Sequence, residues 1–286
     1  MDAQDVRHVA VLGCGLMGSG IAEVVARAGI GVTVLEPTDE LLATGRAKIE
    51  ASTGRAVERG KLDAADRDAA LTRISGTTDI ADLAATDLVI EAATEDPVAK
   101  LALLRSIDLV VGAEVVVATN TSSIPIATLG AATGRPDRVV GLHFFNPPPV
   151  MGLIEVTPSL ATSDVTVAFA RAFGTRLGKT TVLAKDHAGF IVNRVLIPYL
   201  CDAIALFDEG FATREDIDES VTLGLNHPMG PLRLADLIGL DTVLQIAEVL
   251  HAEFRDGRYA PPPLLRRMVA AGWLGTKSGR GFYDYG

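Results

Sequence analysis

The segment HVAVLGCGLMGSGIAEVVARAG, residues 8–29, decides the fold. Five nearly continuous apolar residues predict a buried strand at His8–Leu12, and a glycine-rich turn joins this strand directly to a helix. Gly13, Gly15 and Gly18 form the GxGxxG pattern in the strand–turn–helix context that the pattern requires. Such a turn lets the backbone approach a pyrophosphate, and the helix N-terminus offers it N–H donors. The segment therefore predicts a dinucleotide-binding βαβ unit.

An acidic residue after the second predicted strand indicates which dinucleotide binds. Glu36 follows the apolar run Gly31–Leu35, about twenty residues beyond the glycines. A carboxylate there accepts hydrogen bonds from the hydroxyls of an adenosine ribose, and its charge disfavours a 2′-phosphate. We therefore expect NAD rather than NADP.

Short apolar runs alternate with helical stretches through the first two-thirds of the chain, a pattern typical of a parallel sheet covered by helices. Further strands are expected at Arg73–Gly76, Leu88–Ala92, Val115–Ala118, Val139–Phe144, Leu153–Val156 and Thr180–Leu183. Helices are expected at about Ser163–Leu177, Asn193–Phe207, from Thr213 onward, and at about Leu232–Ile238, Asp241–Phe254 and Pro262–Ala271. The predicted fold class is α/β: a Rossmann-type dinucleotide-binding domain, residues 1–185, followed by an all-helical C-terminal domain, residues 186–286.

Composition and charge exclude several classes of protein. The 286 residues are 48% hydrophobic and 22% charged, as in a soluble globular protein. The formal net charge of −10 argues against a nucleic-acid binder, which carries a basic face. The N-terminus lacks the features of a signal peptide, and the apolar runs are too short to cross a membrane. Two distant cysteines and five scattered histidines show no metal-ligand spacing, so we expect a cytoplasmic protein without a metal site.

Polar side chains gather where the predicted parallel strands end. They are Glu95 and Lys100 after the fourth strand, Asn120 and Ser122 after the fifth, and His143 and Asn146 around the end of the sixth. Because ligands of open α/β sheets bind at the carboxyl ends of the strands, these side chains are expected to meet where a nicotinamide and its substrate would lie.

His143 is the candidate general acid/base. Oxidation of an alcohol by NAD needs a group that takes the hydroxyl proton, and histidine suits this task near neutral pH. Glu155 lies on the antiparallel return strand, and a carboxylate in the apolar run LIEVT is costly unless it is paired, so it is expected to orient the imidazole. Ser122 is not expected to be a nucleophile, because no GxSxG elbow surrounds it. A hydrogen bond to the substrate oxygen or to the nicotinamide carboxamide is the expected role.

Six stretches that together span nearly the whole chain carry a resemblance to a known family. They are VLGCGLMGSGIA, ATNTSSIPI, GLHFFNPPPVMGLIEV, KDHAGFIVNRVLIPYL, LGLNHPMGPLRLADLIGLD and GTKSGRGFYDY. In this order they resemble the L-3-hydroxyacyl-CoA dehydrogenases, and especially the stand-alone bacterial 3-hydroxybutyryl-CoA dehydrogenases.

The resemblance implies reversible, NAD-dependent oxidation of a short-chain (S)-3-hydroxyacyl-CoA in fatty-acid or butanoate metabolism, by a homodimer formed through the helical domain. It implies that His143 is the general base, that Glu155 is its partner, and that Ser122 and Asn193 contact the substrate oxygen. The cofactor contacts that it implies are Gly13, Gly15, Leu16, Met17, Gly18, Glu36, Glu95, Lys100, Asn120, Ser122 and Lys277.

In this family the helix after the second strand binds the CoA. Here Lys48, Ser52, Arg55 and Arg59 share one face of that helix, a composition that suits a phosphate-bearing tail, although a solvated basic face would look the same. Asn146 is the further substrate contact expected. Two alternatives stay open: a dehydrogenase of a free hydroxy acid such as L-gulonate, and a protein that binds NAD without catalysis.

Overall fold

The structure, a computed structural model, describes residues 2–286. The chain divides into two compact units, of which the first ends at His187 and the second begins at Ala188, two residues after the predicted boundary. The first unit is α/β and the second is helical. No helix within residues 2–286 is long and apolar enough to span a bilayer.

A sheet of eight strands runs through the first unit, in the order β3-β2-β1-β4-β5-β6-β7-β8. The strands are β1 (His8–Leu12), β2 (Gly31–Leu35), β3 (Ile74–Thr77), β4 (Leu88–Glu91), β5 (Val116–Thr119), β6 (Val139–Phe144), β7 (Leu153–Pro158) and β8 (Thr180–Leu183). Strands β1 to β6 are parallel, β7 pairs antiparallel with β6, and β8 is parallel to β7. The order of the first six strands is that of the Rossmann fold, as predicted.

The predicted strands agree closely with the observed ones. Strands β1, β2, β6 and β8 have the predicted limits, and the others differ by one or two residues at one or both ends. Every residue of β4, β5 and β6 is buried, because a parallel sheet is covered on both faces.

Within residues 2–187 the first unit contains six α-helices. They are α1 (Leu16–Arg27), α2 (Asp39–Glu58), α3 (Ala64–Thr72), α4 (Pro97–Asp108), α5 (Ile126–Gly130) and α6 (Asp164–Arg176). Side-chain caps at Thr38, Asp96 and Ser163 accept N–H groups of the first turn of α2, α4 and α6, so local sequence fixes where these helices begin. Helix α3 was not predicted, because only Ala70 of its nine residues is buried and its sequence shows no apolar stripe.

The second unit contains α7 (Val192–Asp208), α8 (Arg214–Gly224), α9 (Pro231–Ile238), α10 (Leu240–Phe254) and α11 (Pro263–Ala270). Four of them agree with the predicted limits to within one residue, and α8, for which only the start was predicted, begins directly after Thr213. Thr213 caps α8 as predicted, since its hydroxyl oxygen accepts the Asp216 N–H at 3.1 Å. The C-terminal segment is held by Asp236, whose carboxylate accepts the N–H groups of Phe282 and Tyr283 at 2.9 and 3.0 Å.

Candidate active site

The glycine loop between β1 and α1 has the shape that a pyrophosphate requires. An added Cβ at Gly13 would lie 2.6 Å from the Cα of Ala93, and one at Gly18 would lie 1.9 Å from the carbonyl oxygen of Gly13. Gly13 also has a φ of +92°, which only glycine adopts without strain. At Gly15 an added Cβ would meet no atom within 4 Å. The first and third glycines therefore serve packing, whereas Gly15 faces open space that a ligand can occupy.

The start of α1 completes an anion-binding surface beside that space. Gly15 is the N-cap and has no side chain to accept an N–H group, so the first-turn N–H groups, which include those of Leu16 and Met17, are available to a ligand. Glu36 lies against the loop, because its carboxylate accepts the N–H of Cys14. These residues fit a dinucleotide with its phosphates at α1 and its adenosine ribose near Glu36.

The thiol of Cys14, which lies within this loop, is not a nucleophile. Burial and the nearby carboxylate of Glu36 raise its pKa to about 11. The thiol is therefore protonated at neutral pH, and only the thiolate reacts readily.

His143 and Glu155 are direct partners across the β6–β7 ladder. The Nδ1 atom of His143 lies 2.8 Å from Oε2 of Glu155, and their side chains are 8% and 0% exposed. A carboxylate is acceptor-only, so Nδ1 carries a proton and the lone pair of a neutral imidazole is on Nε2. The edge-on ring of Phe145, with its centroid at 4.7 Å, packs against the imidazole. The pair has the geometry of a base and its orienting carboxylate.

A second buried glutamate, which the sequence analysis missed, lies at the end of β4. Oε2 of Glu91 is 2.6 Å from Nζ of Lys100 and accepts the hydroxyl of Thr119 at 2.6 Å. Its other oxygen accepts the N–H of Ala93 at 2.8 Å. Lys100 and Glu91 are 2% and 0% exposed, so this is a fully buried ion pair. It ties the end of β4 to α4 and to the end of β5.

Glu95 extends this network toward Ser122. Its carboxylate accepts the hydroxyl of Thr121 at 2.8 Å and the N–H of Ser122 at 3.3 Å. It also lies 3.9 Å from Nζ of Lys100. Three of the predicted cofactor residues, Glu95, Lys100 and Ser122, are thus in one cluster, in which the Lys100 side chain is directed to the two glutamates.

Asn120 connects the ends of β5 and β6. Its side-chain oxygen accepts the N–H of Phe144 at 2.9 Å, and its own N–H donates to the carbonyl of Glu91 at 2.8 Å. Phe144, the residue after His143, is therefore held at the end of β5, which Ser122 follows in the chain.

Two predicted site residues belong to the second unit. Asn193 is the second residue of α7 and is partly buried. Lys277 is in a short 3₁₀ turn, and its Nζ lies 2.6 Å from Oδ2 of Asp241. Their contacts to substrate and cofactor stay predictions.

A cleft of about 260 Å³ lies between α1, α2 and the turn at residues 146–149. Lys48, Ser52, Arg55 and Asn146, all predicted CoA contacts, are among the residues that line it. Arg59, just after the end of α2, is exposed and lies outside this lining. The cleft thus brings together, within the first unit, four of the five residues predicted to bind CoA.

Comparison with known proteins decides the family. Residues 8–187 match the family model described as the NAD binding domain of 3-hydroxyacyl-CoA dehydrogenase, and residues 189–285 match the model of its C-terminal domain. The chain belongs to the 3-hydroxyacyl-CoA dehydrogenase family. It is therefore an NAD-dependent oxidoreductase, as the sequence resemblance predicted.

Relatives within the 3-hydroxyacyl-CoA dehydrogenase family match from end to end. A 3-hydroxybutyryl-CoA dehydrogenase of Mycobacterium tuberculosis is 52% identical over 282 residues, which cover 98% of this chain and 99% of that protein. The crystal structure of M. tuberculosis FadB2 matches with a TM-score of 0.97 and 52% identity, over 98% of this chain and 99% of that one. The (S)-3-hydroxybutyryl-CoA dehydrogenase PaaH1 of Ralstonia eutropha matches with a TM-score of 0.93 and 48% identity, over 99% and 100% of the two chains.

Proposed function

We propose that the enzyme reversibly oxidises short-chain (S)-3-hydroxyacyl-CoA, such as 3-hydroxybutyryl-CoA, to the 3-ketoacyl-CoA, with His143 as the general acid/base. The observation that carries this proposal is the hydrogen-bonded pair of His143 and Glu155, buried near the carboxyl end of β6. In the Rossmann fold this edge of the sheet is where the cofactor and the substrate meet. Two relatives with 52% and 48% identity are 3-hydroxybutyryl-CoA dehydrogenases, which supports the short acyl chain.

The proton chemistry follows from the tautomer that Glu155 imposes. With the Nδ1 proton held by the carboxylate, Nε2 of His143 removes the proton of the 3-hydroxyl group. Bound NAD supplies the hydride acceptor. The imidazolium that forms is stabilised by Glu155, and in the reverse direction the same Nε2 returns the proton to the substrate oxygen.

Other chain groups hold the reactants in this scheme. Ser122 and Asn193 donate hydrogen bonds to the substrate oxygen, and Glu95 supports Ser122 by accepting its N–H at 3.3 Å. The glycine loop and Glu36 bind the adenosine half of NAD, and Asn120 and Lys100 contribute near the nicotinamide half. Lys277 is a further cofactor contact in this proposal.

The basic cleft supports a CoA thioester over a free hydroxy acid. Lys48 and Arg55 are exposed at the cleft, and no ion pair is found for either within residues 2–286. Exposed cations that form no ion pair are suited to bind the phosphates of CoA. A small hydroxy acid has no phosphate for them to bind. Arg59, at the end of α2, extends this basic face.

NADH consumption by the purified protein tests the proposal. We expect rapid oxidation of NADH with acetoacetyl-CoA, little with NADPH, and none with free acetoacetate. Arg55→Glu is expected to raise the KM for acetoacetyl-CoA while leaving the KM for NADH unchanged. If NADH is bound but free acetoacetate is reduced and the thioester is not, the CoA assignment is wrong.

We further propose a cytoplasmic homodimer. Exposed apolar side chains on the helical unit, among them Val195, Phe211 and Leu223, support an interface there. Light scattering of the purified protein is expected to give twice the chain mass, and a monomer would contradict this part of the proposal. Cell fractionation tests the cytoplasmic location.

A further inference from the structure

A single lysine side chain holds the turn that forms one wall of the cleft between α1 and α2. Nζ of Lys179 donates to the carbonyl oxygens of Pro148 and Met151, each at 2.8 Å. These two residues lie 31 and 28 positions before Lys179 in the chain, so the bonds join the turn after β6 to the residue that precedes β8. The lysine therefore fixes the turn from outside it.

The turn depends on an outside donor because of its prolines. The prolines at positions 147–149 have no N–H groups. The two N–H groups that follow them, those of Val150 and Met151, both donate to the carbonyl oxygen of Pro147, at 2.9 and 3.0 Å. The two carbonyl oxygens that Lys179 binds therefore receive these hydrogen bonds from another part of the chain.

The backbone at Lys179 is held on both sides. Its own N–H donates to the carbonyl of Gly174 in α6 at 3.0 Å, and the N–H of Thr180 donates to the carbonyl of Gly152 at 2.8 Å. Gly178, with a φ of +73°, has the left-handed conformation that commonly ends a helix. Because the backbone is fixed here, the two side-chain bonds keep the turn at a set distance from the start of β8.

The charge of Lys179 lies where it is disfavoured. Partial burial and the positive charge of Arg27 lower the pKa of Lys179, and the carboxylate of Glu23 opposes this only in part. Both hydrogen bonds of the ammonium go to neutral carbonyl oxygens. Perturbed charges of this kind are concentrated at functional sites, which favours a role in ligand binding over a purely structural one.

The turn forms part of the cleft in which the CoA thioester is proposed to bind. Residues 146–149 line this cleft together with Lys48 and Arg55 of α2. The turn packs so closely on α1 that an added Cβ at Gly20 would lie 2.6 Å from Pro148. A released turn therefore cannot move further toward α1, and any shift away from α1 would open the cleft.

We propose that Lys179 is a positioning residue that holds the turn at residues 147–151 in the conformation that binds the CoA thioester. This inference rests on the proposed function, since it assumes an acyl-CoA in the cleft. The general base is held separately, because His143 is bonded to Glu155 and the next residue along β6 is bonded to Asn120. Lys179 therefore acts on the affinity for the substrate and not on the proton transfer.

Lys179→Met tests the inference, since methionine has a similar length and is no hydrogen-bond donor. Steady-state kinetics would be measured with acetoacetyl-CoA and with NADH as the varied substrate. We expect the KM for acetoacetyl-CoA to rise by on the order of tenfold, because the turn is then correctly placed in only a fraction of the free molecules. The kcat and the KM for NADH are expected to be nearly unchanged, since every molecule that holds the thioester has the turn in place. Calorimetric titration with acetoacetyl-CoA alone measures the same loss of affinity without turnover.

Three further variants complete the test. Lys179→Arg keeps several N–H donors and is expected to hold the KM for acetoacetyl-CoA within about threefold of the wild-type value. Lys185→Met is the same substitution at an exposed lysine just after β8, and it is expected to leave both KM values within about twofold. Lys179→Gln has a shorter, neutral donor, is expected to raise the KM by less than Lys179→Met does, and replaces that variant if it does not fold.

Four results would overturn the inference. They are an unchanged KM for acetoacetyl-CoA in Lys179→Met, an equal rise in the KM for NADH, a loss of kcat with both KM values unchanged, which would indicate a structural role, and a Lys179→Arg variant as weak as Lys179→Met. The wild-type enzyme separates this test from that of the proposed function. If the wild type fails to reduce acetoacetyl-CoA, the proposed function fails. If the wild type reduces it and Lys179→Met has normal KM values, only the role of Lys179 is refuted.

Discussion

Two glutamates of the sheet, Glu155 in β7 and Glu91 in β4, are both completely buried, yet they hold different partners. Glu155 accepts from the imidazole of His143, a group that is neutral or charged according to the stage of a reaction. Glu91 accepts from the ammonium of Lys100, which takes no part in the proposed proton transfer. The same side chain in the same kind of strand therefore serves proton chemistry in one case and a permanent ion pair in the other.

The energetic consequences of the two arrangements differ accordingly. If Glu155 loses its charge, its partner can remain a neutral imidazole, and one hydrogen bond is weakened. If Glu91 loses its charge, the ammonium of Lys100 stays in a site that is 2% exposed and keeps Glu95 at 3.9 Å but not its counter-charge at 2.6 Å, which is far more costly. We therefore expect changes at Glu155 to affect turnover and changes at Glu91 to affect folding.

The largest expected effect is at His143. His143→Ala removes the general base and is expected to lower kcat by roughly 10²–10⁴-fold. NADH binding, measured by fluorescence titration, is expected to be unchanged, because the glycine loop and Glu36 lie on other strands. Lost NADH binding would mean that His143 supports the fold. Glu155 would then have no role in proton transfer to distinguish it from Glu91.

Glu91→Gln is expected to have the next largest effect, on stability. Removing one partner of a buried ion pair typically costs about 3–5 kcal/mol of unfolding free energy. Urea unfolding followed by circular dichroism measures this loss. Lys100→Met in the same chain is expected to restore part of it, since no buried charge then remains unpaired. A double variant as unstable as the sum of the two single variants would contradict the ion-pair account.

The sequence identified Glu155 and missed Glu91 for a definable reason. Glu155 interrupts an apolar run in its middle, where a carboxylate is conspicuous, and the antiparallel return places it opposite His143. Glu91 lies next to the end of the predicted strand Leu88–Ala92 and is the last residue of β4, a place where a polar side chain before a turn is ordinary. Applying the rule used for Glu155 to the run LVIEAA would have found it. Its partner Lys100 was predicted only as a cofactor contact, because the direction of its side chain depends on the packing of α4 against the sheet.

The fold was predicted to greater detail than the site. Apolar runs and caps are local signals, so strands such as His8–Leu12 and helices such as Pro231–Ile238 lie within a residue or two of their predicted limits. Helix α3 was not predicted, because among its nine residues only Ala70 is buried and the sequence therefore shows no apolar periodicity. The burial of Glu23, whose Oε2 atom has no hydrogen-bond partner within residues 2–286, had no sequence signal, since it depends on where α1, α2 and a turn distant in sequence meet.

Glu155→Gln tests, with a smaller expected effect, whether Glu155 acts on turnover rather than on stability. The amide cannot stabilise the imidazolium as a carboxylate does, so kcat is expected to fall by at least about tenfold, the equivalent of one charge-assisted hydrogen bond. The unfolding free energy is expected to change by only about 1 kcal/mol, because no buried charge is stranded. Equal losses of stability in Glu155→Gln and Glu91→Gln would show that the two sites do not differ as described.

The smallest expected effect is a difference in unfolding free energy between valine variants of two buried threonines. Thr119 donates to Glu91 at 2.6 Å, whereas no hydrogen-bond partner is found for the hydroxyl of Thr157 within residues 2–286. Thr119→Val is therefore expected to lower the unfolding free energy by about 1–2 kcal/mol, and Thr157→Val, an identical change at an equally buried site, to leave it unchanged or raise it slightly. Because valine keeps the shape of threonine, the difference between the two variants isolates the bond to Glu91 from any packing effect. Equal losses in the two variants would mean that the Thr119 hydroxyl does not support the buried ion pair, and Glu91 would then depend on Lys100 and the Ala93 N–H alone.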